Sequence, residues 1–505
     1  MSKKGLLAFD LGTSGVKCSV YDIHGTLLAA EYGEYETYYP SPDMREQAPM
    51  DWIDRIVSAC RALHGVLSDT EILAIGVSGH SLGALPVDEN GSLTVSRVPI
   101  WSDARAKKQA KRLFEKINYR EWYETTGSGF PAELYSVCKI MWYRDNDPAV
   151  YDKAKKFIGT KDFVNLYLTG VMATDISYAS GCGMFSLKEG AYVPAYAEAA
   201  GIDLDKLPDV YPSDAVIGYV TEEAAAALGL KAGIPVVAGG VDNACMALGA
   251  GCYEGGDSYA SLGSSAWITV SADEPVVDFE TKVYTFAHCV PGRFIPSIGI
   301  FASGSALAWA ADHFFPHITG SGRFDEIGTL AEGSPAGANG LMFNPCLAGG
   351  SSADKSPAIR GCLFNLSLGH TQNDIARAAF EGIAMHLYVS AKPLLEKLGD
   401  RLLLVGGGAK GEFARQTYAD IFGRQIAVSR VRQDAASLGA AALAAVGCGA
   451  WASFDSIKEI HREQTVHLPN AENHTVYEKR FPIYKKMCDA CADLGDIIAA
   501  ADSDT

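Results

Sequence analysis

The sequence predicts an α/β protein built from two equivalent halves. Two observations predict it. Short apolar runs that end in Gly-rich or acidic turns alternate with helix-like stretches. In addition, a hairpin-like motif, Leu11-Gly12-Thr13-Ser14-Gly15-Val16, is echoed about 250 residues further on by Leu262-Gly263-Ser264-Ser265-Ala266-Trp267. At ~150 residues per domain, 505 residues make two or three domains the expectation.

The elements follow in order. Residues 6–9, 72–77, 235–238 and 402–405 read as buried strands with polar groups at their carboxyl ends. Residues 52–67 read as a helix between the first two. Residues 374–398 form the clearest helix, with Ile375, Ala378, Ala379, Gly382, Ile383 and Leu387 on one face and a capping box from Thr371 and Asp374 in front. Residues 435–454 carry no charge and are long enough to span a bilayer. They are mostly Ala and Gly, with Gly447 and Gly449 near the end, which predicts a tightly packed helix over 435–446 followed by a turn.

Composition narrows the partners. Hydrophobic residues make up 48% and charged residues 20%, the balance of a soluble globular chain. Lys and Arg total 43 against 60 Asp and Glu, a net charge of −17 that repels nucleic-acid phosphates and anionic lipid, so neither nucleic acid nor membrane is an expected partner. The twelve cysteines are scattered rather than clustered, which fits a reducing cytoplasm. Cys488 and Cys491 form the one close pair; with no second pair nearby, two thiols on a helix is the reading adopted. The basic start Met1-Ser2-Lys3-Lys4 is followed by an apolar run that Asp10 interrupts too early for an export signal.

Chemistry concentrates in the turns. Backbone N–H groups and hydroxyls of Gly12, Thr13 and Ser14, and of Gly263 and Ser264, can converge on an anion. Asp10 beside such a turn would repel phosphate unless a cation lies between, which suggests Mg²⁺ carried on a nucleotide; a carboxylate that only caps the hairpin is the plainer alternative. Gly406, Gly408 and Gly411 satisfy a dinucleotide-type G-x-G-x-x-G spacing, so a Rossmann reading stays open on this motif alone. Asp242 and Asn243 follow a buried strand and precede an Ala/Gly-rich helix, where Asp242 can be a general base or a helix cap.

In this order the motifs resemble the FGGY carbohydrate kinases, most closely their xylulokinase-like branch. The resemblance runs from Leu6 to about Val446 and rests on Asp10-Leu11-Gly12-Thr13-Ser14-Gly15-Val16-Lys17, Trp101-Ser102-Asp103-Ala104-Arg105, Lys161-Asp162, Gly239-Gly240-Val241-Asp242-Asn243-Ala244, Ser261-Leu262-Gly263-Ser264-Ser265, Gly406-Gly407-Gly408-Ala409 and Ser437-Leu438-Gly439-Ala440-Ala441. It implies two ribonuclease-H-like domains of the actin and hexokinase type around a central cleft, residues 1–245 binding sugar and 246–505 binding ATP. It also implies Asp242 as catalytic base and Asp10 as the Mg²⁺ ligand. Gly12, Thr13, Ser14, Gly263 and Ser264 would contact phosphates, and Gly407, Gly408 and Ala409 the nucleoside. His80, Ser81, Trp101, Asp103, Asp242 and Asn243 would face the sugar, although His80 could equally sit behind the pocket wall and Trp101 in the core. A homodimer is compatible with the family, and the same fold could serve a non-catalytic sugar or nucleotide sensor.

The departures fall on the sugar side. The Gln-Met-His-Gly of xylulokinases corresponds to His80-Ser81-Leu82-Gly83, and the Gly-Glu-Arg-x-Pro loop to Gly349-Gly350-Ser351-Ser352-Ala353. Phosphate-facing motifs intact beside altered sugar-facing ones imply an active kinase with its own acceptor.

Overall fold

A computed structural model describes residues 3–429, 435–461 and 464–503. Two seven-stranded sheets dominate it. The first contains β1 (Lys3–Leu11), β2 (Gly15–Asp22), β3 (Leu27–Glu34), β4 (Thr70–Gly79), β5 (Val216–Tyr219), β6 (Pro235–Val237) and β7 (Gly240–Val241), in the order β5-β6-β4-β1-β2-β3, with β7 also pairing β4. The second contains β8 (Ser258–Leu262), β9 (Ala266–Val270), β10 (Tyr284–Ala287), β11 (Phe294–Ile300), β12 (Arg401–Val405), β13 (Gln425–Ser429) and β14 (Gln464–His467), in the order β10-β11-β9-β8-β12-β13-β14.

The internal echo is a repeat of topology. β1, β2 and β3 form an antiparallel meander with β4 parallel to β1; β8, β9 and β11 form the same meander with β12 parallel to β8. Each opening hairpin turns at the predicted Gly and hydroxyl residues. The four predicted apolar runs are all strands, and their central residues are buried because helices cover the sheets.

The helices that matter for the site are α1 (Pro49–Ala62), α2 (Thr160–Thr169), α3 (Asp242–Gly249), α4 (Gly304–Phe314), α5 (Arg323–Glu332), α6 (Gln372–Ser390), α7 (Glu412–Phe422), α8 (Ala435–Gly447) and α9 (Ala471–Ser503). Two expectations need correction. The helix expected over 52–67 stops at Ala62, and a second short helix, His64–Asp69, follows after Leu63. The helix expected to reach residue 398 ends at Ser390, since Pro393 cannot supply the N–H that continuation requires. Its start is as read: the Thr371 N–H and hydroxyl both donate to Asp374 Oδ2, at 2.7 and 2.9 Å.

The small residues of α8 let three elements approach closely. α8 follows β13 in sequence yet packs on β1, β4 and α3. A Cβ on Gly439 would collide with the Cys245 backbone of α3. From α8, Ser437 reaches β2, accepting or donating a 2.7 Å hydrogen bond with the Tyr21 hydroxyl. The uncharged segment is therefore a fully packed interior helix. No helix of the described residues is long and apolar enough to cross a membrane. All twelve cysteines are free thiols, and Met1 and Ser2 of the basic start lie outside the described residues.

Candidate active site

Strand register brings the two key carboxylates together. β4 lies between β1 and β7, and its Ser78 pairs with Asp10 on one side and Gly240 on the other. Two interstrand steps of ~4.8 Å separate those backbones, and Asp242 begins α3 just past β7. Both carboxylates are half-buried at the carboxyl ends of parallel strands, where open α/β sheets place their crevices. Ser78 Oγ donates to Asp10 Oδ1 at 2.8 Å, and the Asn243 N–H donates to Asp242 Oδ1 at 2.7 Å.

Their electrostatics are coupled. Burial, followed by the negative charge of Asp10, pushes Asp242 up to about 7. Burial also raises Asp10, while Ser78 and Lys17 oppose the rise. A carboxylate that titrates near neutrality inside a crevice is matched to accepting a hydroxyl proton.

The loop carrying Asp242 rests on a buried ionic network. Lys161, on α2, contacts Asp162 at 2.6 Å and Asp175 at 2.9 Å, all three side chains being fully buried. Its ammonium also donates to Ala238 O at 3.0 Å, at the end of β6. Asp175 in turn accepts from Ser177 Oγ, and that hydroxyl accepts the Val241 N–H at 3.0 Å. The Lys161-Asp162 motif thus fixes the backbone on both sides of Gly239 and Gly240.

The two hairpin turns are built alike. The Gly12 N–H donates to Gly15 O at 3.0 Å, and the Gly263 N–H to Ser265 O at 2.9 Å. Thr13, Ser14, Gly263 and Ser264 are exposed. Around the first turn, Gln47 Nε2 donates to Thr13 O at 2.7 Å and the Tyr35 hydroxyl to Gly12 O. Trp101 is 36% exposed and donates its indole N–H to Thr13 Oγ1 at 3.0 Å. It is therefore not a core residue; it ties its own loop to the first hairpin turn.

Beside the second turn opens a cavity of about 900 Å³, lined by Gly263 and Ser264, by α4 and α5 residues, and by Gly407 and Gly408. Gly406 takes φ +91°, and a Cβ there would press on Leu262 O at 2.7 Å, so only glycine lets β12 turn this tightly against β8. Ala409 is buried beneath the turn rather than on the cavity wall. The volume and the exposed amides suit a nucleotide. The Gly-rich turn leaves a strand of a meander-containing sheet, not the first strand of a Rossmann unit, and the dinucleotide reading falls with that topology.

One sugar-side expectation is corrected. Asp103 is 0% exposed, and its carboxylate is consumed by the Arg105 side chain and N–H and by the Arg45 N–H, with Arg105 bridging on to Glu46. It braces the loop after Trp101 and offers nothing to a ligand. His80 is 1% exposed; its Nδ1 faces Thr160 Oγ1 at 3.1 Å and its ring packs edge-on against Trp52. Burial, then the Lys139 charge, lowers it to about 3, so the ring is neutral, and its Nε2 is buried with no hydrogen-bond partner among the described residues. Leu82 follows with φ +60°, an uncommon conformation for a branched side chain, and is fully buried. Ser81 between them remains half-exposed.

Residues that the sequence did not single out complete the crevice. Burial raises the hydroxyls of Tyr259 and Tyr284, and the charge of Asp242 adds to the rise. Trp267 donates to the Tyr259 hydroxyl at 3.3 Å, and Phe130 stacks on Tyr284 with ring centroids 4.1 Å apart. Trp267, Tyr284 and Phe130 are each half-buried, so each leaves part of its ring open to a ligand. They come from separate elements, so no local pattern announces them. Lys139 is another: fully buried, it donates to Leu82 O, Ile100 O and Leu134 O at 2.7–2.8 Å, locking the two loops that carry Ser81 and Trp101.

Residues 6–249 match the N-terminal domain of the FGGY family of carbohydrate kinases, and residues 258–448 match its C-terminal domain. The chain belongs to this family. This FGGY kinase is 31% identical to a xylulose kinase of Staphylococcus epidermidis over 96% of its length and 97% of the relative's. It is 27% identical to a gluconokinase of Bacillus licheniformis over 95% of its length and 94% of the relative's. Its fold superposes on the crystal structure of xylulose kinase from Rhodospirillum rubrum with a TM-score of 0.88 at 25% identity, covering 98% of this chain and all of the other. The two-domain ATPase fold of the actin and hexokinase type is thereby shown, and the protein is a sugar kinase.

Proposed function

We propose that this FGGY kinase transfers the terminal phosphoryl group of ATP to a terminal hydroxyl of a ketose or related polyol, with Asp242 as the general base. The observation that carries the reading is the placement of Asp10 and Asp242 on either side of Ser78, at one end of one sheet. Asp242 takes the proton of the acceptor hydroxyl as its oxygen bonds to phosphorus and the bridging bond to ADP breaks. Thr13, Ser14 and Ser264 donate to the phosphates, and the cavity lined by Gly407 and Gly408 receives the nucleoside. Trp101, Trp267 and Tyr284 hold the carbon skeleton of the sugar, with Ser81 and Asn243 as its polar partners.

The residues fit a magnesium ion arriving with the nucleotide. Asp10 offers a hard oxygen donor beside a hydroxyl-rich turn, and the unfavourable proximity of two carboxylates is relieved by a cation. Bound there, Mg²⁺ would neutralise phosphate charge.

Relatives named xylulose kinase and gluconokinase bracket the acceptor class. A coupled ADP-release assay over pentuloses, hexuloses, polyols and gluconate tests the reading. One acceptor should raise ADP formation far above the ATP-only rate. Binding of a sugar with no ADP formed from any of them would instead mark a sensor.

A further inference from the structure

In the second half of the chain, three potential metal ligands from separate segments meet at one point. They are Cys346, just after the short strand Met342–Asn344; Asp354, just after the Gly349-Gly350-Ser351-Ser352-Ala353 stretch; and His386 on α6. Cys346 Sγ lies 3.3 Å from His386 Nε2, Asp354 Oδ1 lies 3.3 Å from the same nitrogen, and Sγ to Oδ1 is 4.0 Å. The geometry points to a structural zinc site formed by Cys346 Sγ, His386 Nε2 and Asp354 Oδ1, with water as the fourth ligand.

Four features support zinc over an ordinary hydrogen-bonded cluster. First, thiol and carboxylate converge on one imidazole nitrogen, which a single proton or lone pair cannot serve. A catalytic Cys-His-Asp relay would put them on opposite nitrogens. Second, Zn–ligand bonds of about 2.0–2.3 Å at a tetrahedral centre hold ligand atoms about 3.3–3.8 Å apart, and the three atoms, at 3.3, 3.3 and 4.0 Å, need shifts of only a few tenths of an ångström to reach that. Third, two of the three ligands are held from behind, as metal ligands are. The Ser351 N–H and hydroxyl hold Asp354 Oδ2 at 2.7 and 3.1 Å and turn Oδ1 inward, while Asn344 Oδ1 accepts the Cys346 N–H at 3.1 Å. Fourth, a cavity of about 10 Å³, room for one water, opens beside Asp354, His386 and Cys488, and two of the three ligands line it.

Charge also balances. A thiolate, a carboxylate and a neutral imidazole cancel Zn²⁺, and the two ammonium groups near the cavity are engaged elsewhere, Lys485 with Asp489 and Lys355 with Asp493. Binding displaces the Cys346 proton, which burial and the Asp354 charge otherwise hold in place. Cys488 is not a ligand: its sulfur lies 3.9 Å from His386 Nδ1, on the far side of the ring, and Cys491 lies against Cys362 at 3.3 Å. Zinc would pin the loop from 346 to 354 to α6, with α9 packed behind.

Chelator-treated full-length protein titrated with Zn²⁺, and separately with Co²⁺, tests the site. One equivalent of Zn²⁺ should bind, and the Co²⁺ form should show a thiolate-to-metal charge-transfer band with intense tetrahedral d–d bands. Cys346→Ser should abolish the charge-transfer band and weaken Zn²⁺ binding by roughly 100-fold or more, whereas Cys488→Ala should keep both the band and the stoichiometry. Should Cys346→Ser misfold, Asp354→Asn gives the same reading through at least a tenfold or so weaker Zn²⁺ affinity. No uptake at Zn²⁺ up to about 10 µM, uptake indifferent to Cys346→Ser and Asp354→Asn, or a band that follows Cys488, would overturn the proposal.

Discussion

The two opening hairpins share a backbone plan and differ in what surrounds it. In the first, the residue before the last strand position is Asp10, paired across β4 with Ser78; in the second it is Ser261, paired across β12 with the apolar Val405. The first turn is braced by side chains, Trp101 on Thr13 Oγ1 and Gln47 on Thr13 O. The second is braced by the start of α4, whose Ser303 and Gly304 N–H groups donate to Ser264 O and Gly263 O at 2.8 and 2.9 Å. One repeat therefore carries the charge that chemistry requires, and the other a neutral amide-lined wall beside a large cavity. In the proposed function the same turn serves as reaction centre in one half and as nucleotide rest in the other.

The largest break in this comparison comes from the carboxylate with no counterpart in the second half. Asp242→Asn should lower kcat by about a thousandfold or more while nucleotide affinity stays within a few-fold. In the unsubstituted enzyme, kcat/KM should fall as pH drops through about 7, where Asp242 takes up its proton. Stability runs the other way. The folded-state value of Asp242 lies above its unfolded value of 3.8, so the native protein binds the extra proton between the two, and Asp242 costs stability progressively as pH rises through that window. Asp242→Asn should accordingly raise Tm at pH 8 and leave it unchanged below pH ~4, checked by thermal melts.

Next in size is the support beneath Asp242, also confined to the first half. Lys161→Met would leave Asp162 and Asp175 buried without their cation, a loss of roughly 3–5 kcal/mol visible as a lower denaturant midpoint. Smaller again is the contrast between the turns themselves. Thr13→Ala and Ser264→Ala should each lower kcat by roughly ten- to a hundredfold. Only Thr13→Ala should also raise the sugar KM, because it frees the Trp101 indole. Equal effects of both on sugar KM would remove Trp101 from the acceptor side.

What could be read in the sequence tracks how local the cause is. The hairpin turns, the four buried strands and the capped start of α6 follow from neighbouring residues, and the two-half architecture follows from the echo between them. Asp103 was misplaced for the opposite reason. Whether a polar side chain faces the crevice depends on partners distant in sequence: Arg45 and Glu46 around Asp103 and Arg105, and Trp52 and Thr160 around His80. The aromatic wall of Phe130, Trp267 and Tyr284 was invisible because it assembles from three places in the chain. The task of Lys139, holding three carbonyls, likewise needs the fold to be seen.

The central claim is that Asp10 and Asp242 share one crevice and repel one another there. A double-mutant cycle of thermal stability at pH 8, comparing Asp10→Asn, Asp242→Asn and the double substitution, tests it most directly. Each single change removes the same repulsion, so the double variant should gain clearly less stability than the sum of the two singles. Strict additivity would place the two side chains out of reach of each other and contradict the account.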